Sequence, residues 1–282
     1  MSVNFLYDTH THTSNSPDAK DSVEALCVRG AELGLAALAV TEHCEINRYY
    51  PREYYKESDG LEHEGYNFEE RMKKSFEDNM LMKEKFAGRL KVLCGVELGQ
   101  GNSDKEAAEK LLSDDRIDYV IGSMHEMPGY ADFYFLDYKN LDVSDILTKN
   151  FTAVYDMCKW GGFDSLGHMT YALRYIMRDG LSASTDHCDE IIAESLRELA
   201  LRGKGLEINT SGLRQDAKMT FPTVKYVRMF RELGGEIITV GSDSHCTGDL
   251  AAGIADGIEV AREAGFTRIA YFEKRKPVFL EI

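Results

Sequence analysis

The chain has 282 residues, and 48 Asp and Glu against 33 Lys and Arg set a formal net charge of −15 at pH 7. This length allows two domains, but closed α/β barrels commonly use it for one, so we predict a single domain over residues 1–282. The acidic balance disfavours a nucleic-acid partner, because phosphate backbones are bound by stripes of Lys and Arg. An acidic chain that binds one small phosphate needs a local cationic centre, and metal ions are the strongest one available.

Short apolar runs alternate with longer amphipathic segments along the whole chain, a pattern typical of repeated βα units. In chain order, the predicted strands are residues 4–8, 36–41, 90–96, 118–122, 164–167, 205–209, 237–241 and 268–272. The predicted helices between them are residues 22–33, 68–86, 143–159, 186–201 and 222–233, with Pro222 in the first turn of the last one. Seven or eight strands of this kind fit a barrel of parallel strands.

Two segments interrupt this alternation, residues 47–67 and residues 128–140. Each directly follows a candidate ligand, so we expect both at the mouth of the barrel, where loops after strands determine specificity. An ordinary surface loop is the alternative for each.

The location and redox state follow from simple features. The chain begins without a basic segment or signal-like apolar run, and its longest apolar stretch, residues 33–40, is too short to cross a bilayer. We therefore predict a cytoplasmic protein without a membrane partner.

Six cysteines are scattered singly, which favours reduced thiols. Thiolate coordination by Cys44 or Cys246 stays an alternative, since each follows a candidate histidine ligand.

Residues able to bind metals appear where one predicted strand after another ends. They are Asp8, His10 and His12; Glu42 and His43; Glu97; His125; His168; Glu207 and Asn209; and Asp243 and His245. In a parallel barrel the carboxyl ends of all strands face one opening, so these residues are expected to converge. Six of the eight histidines lie at these ends; the others, His63 and His187, are predicted to be surface residues.

The spacing of these residues adds detail. His10 and His12 are two residues apart, which on extended backbone places both imidazoles on one face, where they can coordinate one ion. Asp243 and His245 repeat this spacing on a different strand. Glu97 follows a strand and is placed to bridge two cations with its two oxygens.

This ordered set of motifs, from His10 to His245, resembles the polymerase-and-histidinol-phosphatase (PHP) family, most closely its histidinol-phosphatase branch. The resemblance implies a distorted (βα)7 TIM-like barrel of the PHP type that holds two or three divalent ions, with Zn, Mn and Fe as candidates. It implies one ion on His10, His12, Glu97 and Asp243, a second on Glu97, His125 and His168, and a third on Asp18, His43 and His245. Many relatives carry histidine where this chain has Asp18, and the alternative for Asp18 is a cap on the following helix.

The same resemblance implies an activity, the hydrolysis of L-histidinol phosphate to L-histidinol and phosphate in histidine biosynthesis. A hydroxide bridging two ions is the implied nucleophile, oriented or deprotonated by Asp243. His245 or His43 is expected to stabilise or protonate the leaving oxygen, with metal-bound water as the alternative.

Three further residues are expected to contact this substrate. Arg174 and Arg214 each follow a motif at the mouth, and the resemblance assigns them to the phosphate, which a guanidinium matches with two N–H groups. Glu42 is expected to receive the cationic end of the substrate, together with the acidic and aromatic insertions.

Two alternatives to this function remain at the level of sequence. One is a nucleotide phosphoesterase or exonuclease of the same family, which the lack of a basic groove disfavours. The other is a non-catalytic, metal-binding regulatory barrel, which the full ligand set disfavours. The sequence leaves the oligomeric state open.

Overall fold

Seven parallel strands form the centre of the molecule and pair in the order in which they occur along the chain. The structure is a computed structural model and describes residues 6–46 and 68–282. The strands are β1 (Leu6–Asp8), β2 (Leu35–Glu45), β3 (Lys91–Gly99), β4 (Tyr119–Ser123), β5 (Ser165–Leu166), β6 (Gly205–Asn209) and β7 (Ile238–Gly241). Every neighbouring pair among them is parallel.

Helices connect these strands and cover the outside of the sheet. They are α1 (Val23–Glu32), α2 (Phe68–Lys85), α3 (Lys105–Leu112), α4 (Val143–Trp160), α5 (Ala172–Arg178), α6 (Asp189–Leu201), α7 (Ser211–Arg214), α8 (Val224–Glu232) and α9 (Ile254–Glu263). Within residues 6–46 and 68–282, no helix combines the length and apolar character needed to cross a bilayer.

The first and last strands of the sheet lie side by side, so the sheet curls into a nearly closed barrel. The Thr9 N–H donates to the carbonyl of Val240 at 3.3 Å. Just beyond the strands, the His12 N–H donates to Ser244 O and the Asp243 N–H to His10 O, both at 2.8 Å. The predicted fold, an α/β barrel of seven βα units, is confirmed, and the carboxyl ends of its strands face one opening.

Local sequence signals explain several helix boundaries. Ser22 is the N-cap of α1, because its hydroxyl accepts a hydrogen bond from the Ala25 N–H at 3.2 Å. Asp142 caps α4 in the same way, accepting from two N–H groups of the first turn. Gly161 ends α4 with φ of 67°, a left-handed conformation that costs glycine little.

The predicted strand at residues 268–272 exists, but it is not part of the barrel. It is β8 (Arg268–Glu273), which pairs antiparallel with β9 (Lys276–Glu281) in a separate two-stranded sheet. This hairpin packs under the amino-terminal end of the barrel, where the ring of Phe272 stacks on Tyr119 with centroids 5.0 Å apart. The backbone N–H of Arg275 also donates to Asp118 O at 2.8 Å. The hairpin therefore closes the end of the barrel opposite the candidate site.

Two helix predictions need correction. Pro222 is not in the first turn of α8, because the helix begins at Val224 and the Phe221–Pro222 peptide bond is cis. The predicted helix at residues 186–201 begins with a 3₁₀ turn, Asp186–Cys188, before α6 itself. Helices α3, α5, α7 and α9 were not predicted, and none of them has more than ten residues.

Candidate metal centre

His10 and His12 follow β1 on extended backbone, and both side chains are fully buried. Their Nε2 atoms lie 3.1 Å apart. Both Nε2 atoms are 3.3 Å from Glu97 Oε2, and Asp243 Oδ1 lies 3.8 Å from His10 Nε2 and 3.5 Å from His12 Nε2. Two imidazole nitrogens and two carboxylate oxygens that face one point form a donor set for a shared cation.

Glu97, at the end of β3, faces histidines with both of its oxygens. Its Oε1 lies 2.7 Å from His168 Nε2 and 3.1 Å from His125 Nε2, while Oε2 faces His10 and His12. The two Nε2 atoms of His125 and His168 are 3.4 Å apart. The two oxygens of Glu97 thus face two different pairs of histidines, an arrangement that would suit a carboxylate shared by two cations.

A third group of candidate ligands, Asp18, His43 and His245, lies at the rim of the barrel opening and is called the rim group. Asp18 Oδ2 is 3.1 Å from His245 Nε2 and 3.5 Å from His43 Nε2, and the ring of His12 stacks against both of these histidines. The cap of α1 is Ser22, so the alternative role of Asp18 as a helix cap is not what the structure shows. Asp18 is the most exposed member of the cluster, with 47% of its side chain accessible.

Two buried carboxylates orient histidines from behind. His10 Nδ1 lies 2.6 Å from Glu207 Oε1, and His125 Nδ1 lies 2.7 Å from Glu45 Oε1. When Nδ1–H donates to a carboxylate, the lone pair of the neutral ring lies on Nε2, the atom that faces Glu97. The sequence placed Glu207 among the polar residues at strand ends without giving it this role. Glu45 was missed, because β2 runs to Glu45 and the predicted strand stopped at residue 41.

The carboxylates and histidines of the cluster shift one another's pKa values. Burial lowers the pKa of His10, but the charges of Glu207 and Glu97 outweigh it and hold this pKa well above its usual value. Conversely, burial raises the pKa of Glu97, but the nearby His10 and His125 outweigh it and hold it well below its usual range. Burial and the neighbouring His43 and His245 lower the pKa of His12 to about 3.

Glu42, predicted to bind substrate, has a different position. Its carboxylate is fully buried and accepts hydrogen bonds from the Thr13 hydroxyl, from the Thr13 N–H at 3.1 Å and from the Ser16 hydroxyl. Ser16 in turn accepts from the His43 N–H at 3.1 Å. Glu42 therefore holds the loop that leads to Asp18, instead of facing the pocket.

The two predicted arginines do lie at the opening. Arg174 Nη2 donates to Asp243 Oδ2 at 2.7 Å and to Ser211 Oγ at 2.6 Å, and its Nε is buried without a hydrogen bond. Arg214 donates to the carbonyls of Ser242 and Asp243 at 2.7 and 2.8 Å. Both line an open cleft of about 760 Å³ whose other walls include Asp18, Tyr134, Tyr175, Arg178, Asp243 and His245.

A smaller cavity of about 280 Å³ adjoins this cleft and shares Asp18, Tyr134 and Tyr175 with it. We call it the aromatic pocket; its lining includes Asp132, Tyr134, Phe135, Tyr171 and Tyr175, beside His43 and His125. Burial raises the pKa of Asp132 to about 6. Residues 128–140 thus supply part of the mouth, as predicted, while the other segment, residues 47–67 with His63, lies outside the described residues. His187 is exposed, as predicted.

The family model described as the PHP domain matches residues 8–211 of this chain, a span that contains all but two of the clustered candidate ligands. The chain belongs to the PHP family. It is 28% identical over 272 residues to a probable histidinol-phosphatase of Clostridium acetobutylicum, covering 96% of this chain and 98% of the relative. It is 26% identical over 274 residues to the histidinol-phosphatase of Lactococcus lactis, covering 95% of each.

Solved structures show the same PHP fold. The crystal structure of histidinol phosphate phosphatase from Lactococcus lactis, complexed with Zn, L-histidinol and phosphate, superposes with a TM-score of 0.80 at 24% identity, covering 96% of this chain and 98% of that one. The putative histidinol phosphatase of Listeria monocytogenes superposes with a TM-score of 0.73 at 20% identity, covering 89% and 99%.

The residues of this PHP domain fit divalent cations. His43 Nδ1 and Glu97 Oε2 lie 2.9 Å apart, yet both atoms are buried and neither has a hydrogen bond. Four overlapping groups of three ligand atoms occur in the described part of the chain, and all four combine histidines, with or without carboxylates. Such a mixed nitrogen and oxygen set suits Zn, Mn or Fe. The alternative of thiolate ligands is not supported, since Cys44 packs in the hydrophobic core and none of these groups includes a cysteine.

Proposed function

We propose that the protein is a metal-dependent phosphoric monoester hydrolase that converts L-histidinol phosphate to L-histidinol and phosphate in histidine biosynthesis. The observation that carries the proposal is the adjacency of three features: the histidine and carboxylate cluster, the cleft lined by Arg174 and Arg214, and the aromatic pocket with Asp132. The near full-length relatives that bear the name histidinol-phosphatase support it. The six free thiols are in keeping with a cytoplasmic location.

Two or three divalent ions would be held by the clustered ligands. We assign the first to His10, His12, Glu97 and Asp243, the second to Glu97, His125 and His168, and the third to Asp18, His43 and His245. Bound there, such ions lower the pKa of water from 15.7 towards about 7 and polarise phosphoryl oxygens.

Asp243 connects the cluster to the phosphate site. One of its oxygens faces His10 and His12 and the other accepts from Arg174. Its backbone has φ of 54°, a left-handed conformation that is uncommon for a residue other than glycine and is often found at functional sites. We assign Asp243 the role of orienting the attacking water and accepting its proton.

Arg174 and Arg214 would hold the phosphate group from the opposite side. Their guanidinium groups reach the cleft from α5 and α7, and both are tied to the Ser242–Asp243 segment. Paired N–H groups match phosphate oxygens well, and anchored groups lose less entropy when they bind substrate.

The leaving oxygen would lie near the rim group. His245 and His43 both face Asp18 at the border between the cleft and the aromatic pocket. We assign these two histidines to stabilising the leaving oxygen, which would take a proton from one of them or from metal-bound water, so that L-histidinol departs as the alcohol towards the aromatic pocket.

The aromatic pocket suits the remainder of the substrate. Tyrosine and phenylalanine rings contact an imidazole ring or a cation favourably, and the Asp132 carboxylate supplies a counter-charge for an ammonium or imidazolium group. In this proposal Asp132 takes the role first expected of Glu42.

Phosphate release from a panel of substrates tests the function. We expect the purified protein to hydrolyse L-histidinol phosphate much faster than nucleotides or p-nitrophenyl phosphate, and to lose this activity with a chelator. Faster cleavage of nucleotides would instead support a nucleotide phosphoesterase. Bound metal without phosphate release from any substrate would support a non-catalytic barrel.

A further inference from the structure

Gln100 lies directly after β3 and does not belong to the ligand set. It is buried, and its backbone has φ of 48°, in the left-handed region that residues other than glycine rarely adopt. Its N–H donates to the carbonyl of Ser123, at the end of β4, at 2.9 Å. This turn directs the side chain back towards the ends of β2 and β4, under the metal centre.

The side-chain amide of Gln100 uses all of its groups there. Nε2 donates to Glu45 Oε2 at 2.8 Å and to Glu126 Oε1 at 3.0 Å, while Oε1 accepts from the His125 N–H at 2.8 Å. Two carboxylates need donors and a backbone N–H needs an acceptor, so only one orientation of the amide satisfies all three contacts.

Glu45, which Gln100 contacts, determines the tautomer of the candidate ligand His125. With Oε2 held by Gln100, its Oε1 accepts from His125 Nδ1 at 2.7 Å, and His125 Nε2 then faces Glu97 Oε1 at 3.1 Å. We propose that Gln100 is a positioning residue that holds Glu45 against His125 and thereby sets the tautomer and orientation of that ligand. The inference rests on the proposed metal-dependent function.

Glu45 also has a competing option. Its Oε1 lies 3.5 Å from His43 Nδ1, and His43, Glu45 and His125 together form a group whose ligand atoms converge. Without the Gln100 amide, the Glu45 carboxylate is free to turn from His125 towards His43. Gln100 therefore keeps Glu45 behind His125.

Metal affinity of the metal-free protein tests this inference without relying on activity. For Gln100→Met we expect Zn²⁺ affinity, measured by chelator competition, to fall about 10-fold, the lower end of the range for residues that support metal ligands. The visible absorption spectrum of the Co²⁺-loaded variant should also differ from that of the wild type. Wild-type affinity together with a wild-type Co²⁺ spectrum would overturn the proposal.

A double-mutant cycle separates action through Glu45 from a general effect on folding. In a Glu45→Gln background, Gln100→Met should weaken Zn²⁺ binding little further, because the path it acts through is already broken. Full additivity of the two changes in affinity would contradict the inference. Gln100→Asn is the second variant in case Gln100→Met does not fold. Asparagine tolerates the left-handed backbone but is one methylene too short to reach Glu45, so the same loss of affinity is expected.

Asn79→Leu is the matched control. Asn79 is also a fully buried amide, but it donates to Ser75 within α2, away from the centre. This variant should unfold at a lower temperature and keep wild-type Zn²⁺ affinity. If the wild-type protein itself binds no Zn²⁺, the proposed function fails. If it binds Zn²⁺, and the Gln100 variants bind Zn²⁺ equally well and show the wild-type Co²⁺ spectrum, only the positioning role fails.

Discussion

Glu45 occupies the space that a side chain on Gly99 would need. The two residues are paired in the parallel register of β2 and β3, and a Cβ on Gly99 would overlap the Glu45 carboxylate. We predict that Gly99→Ala displaces Glu45 from His125, costs about 1–3 kcal/mol of stability and weakens metal binding. Chemical unfolding and metal analysis of the purified variant check both effects.

Gly248→Ala is the control for this substitution. An added Cβ there meets only Cys246 Sγ, at an ordinary distance of 3.8 Å. It should leave stability and metal content close to those of the wild type. If Gly99→Ala behaved like this control, the Glu45 carboxylate would not be confined as the structure indicates.

The sequence predicted the ligand cluster because parallel strands impose a simple rule. Whatever the loops do, residues at the carboxyl ends of β1, β3 and β7 meet at one opening, so His10, Glu97 and Asp243 could be placed together without coordinates. The same rule does not say which way each side chain turns. For Glu42 the alternation of faces along β2 held the missing information, since His43 and Glu45 share one face and Glu42 lies on the other.

Other features depend on contacts that no local pattern encodes. The side chain of Gln100 points towards the metal centre only because its backbone forms a turn with positive φ. Asp132 lies in a segment of short 3₁₀ helices, which have no periodic pattern in the sequence. The sequence of β8 allowed an eighth barrel strand, because its apolar pattern fits a strand of the barrel as well as a strand of the separate hairpin. Its place under the barrel follows from packing on Tyr119, which is a long-range contact.

Glu97→Gln should remove the bridge between the first two groups of ligands. The amide keeps the size of the side chain but loses the charge that both pairs of histidines face, at 2.7 to 3.3 Å. We expect elemental analysis to show that the purified variant contains at least one metal ion per chain less than the wild type. We also expect its activity to be at least about 100-fold lower. Glu236→Gln, at an exposed site, is the control, and full metal content in Glu97→Gln would rule out the bridging role.

Arg174→Met should impair the handling of the phosphate group. The guanidinium is anchored by Asp243 and Ser211 and leaves a buried, unpaired Nε at the cleft. We expect kcat/KM for every phosphate monoester to fall about 100-fold, because a preorganised donor to the phosphoryl oxygens is lost. Steady-state kinetics with two different leaving groups measure this.

Arg116→Met, which removes an arginine paired with Asp114 away from the cleft, is the comparison for that experiment. It should leave kinetics unchanged. A loss in Arg174→Met confined to one leaving group would argue against a phosphate contact and for a role in the aromatic pocket.

Metal affinity should rise with pH. Burial lowers the pKa of His10 and of His125, but the carboxylates of Glu207, Glu45 and Glu97 outweigh burial and raise both pKa values well above the usual one. A ligand must present an unprotonated Nε2, so a cation has to displace these protons. Acidification therefore weakens binding, and alkalinisation strengthens it until the raised pKa values are passed.

Calorimetry of Zn²⁺ binding in two buffers with different ionisation enthalpies measures this proton release directly. We expect a net release of protons at pH 7 and tighter binding at pH 8 than at pH 6. Binding without proton release, at constant affinity over this range, would show that the histidines of the metal-free protein are already neutral.

Asp132→Asn should change which substrate is preferred. The asparagine oxygen can still accept from the Tyr134 N–H, now 2.7 Å from Asp132 Oδ1, so the segment should keep its fold. The negative charge facing the aromatic pocket is lost, and a hydrogen bond to a charged group contributes about 1.5–3 kcal/mol. We expect KM for L-histidinol phosphate to rise by about 10-fold or more, while kinetics with p-nitrophenyl phosphate, which has no cationic group, stay unchanged. Asp137→Asn, an exposed acid in the same segment, is the control for general effects on that loop. An equal loss for both substrates would place the effect of Asp132 on the neighbouring His125 and the metal centre, and would remove the charge-based account of substrate selection.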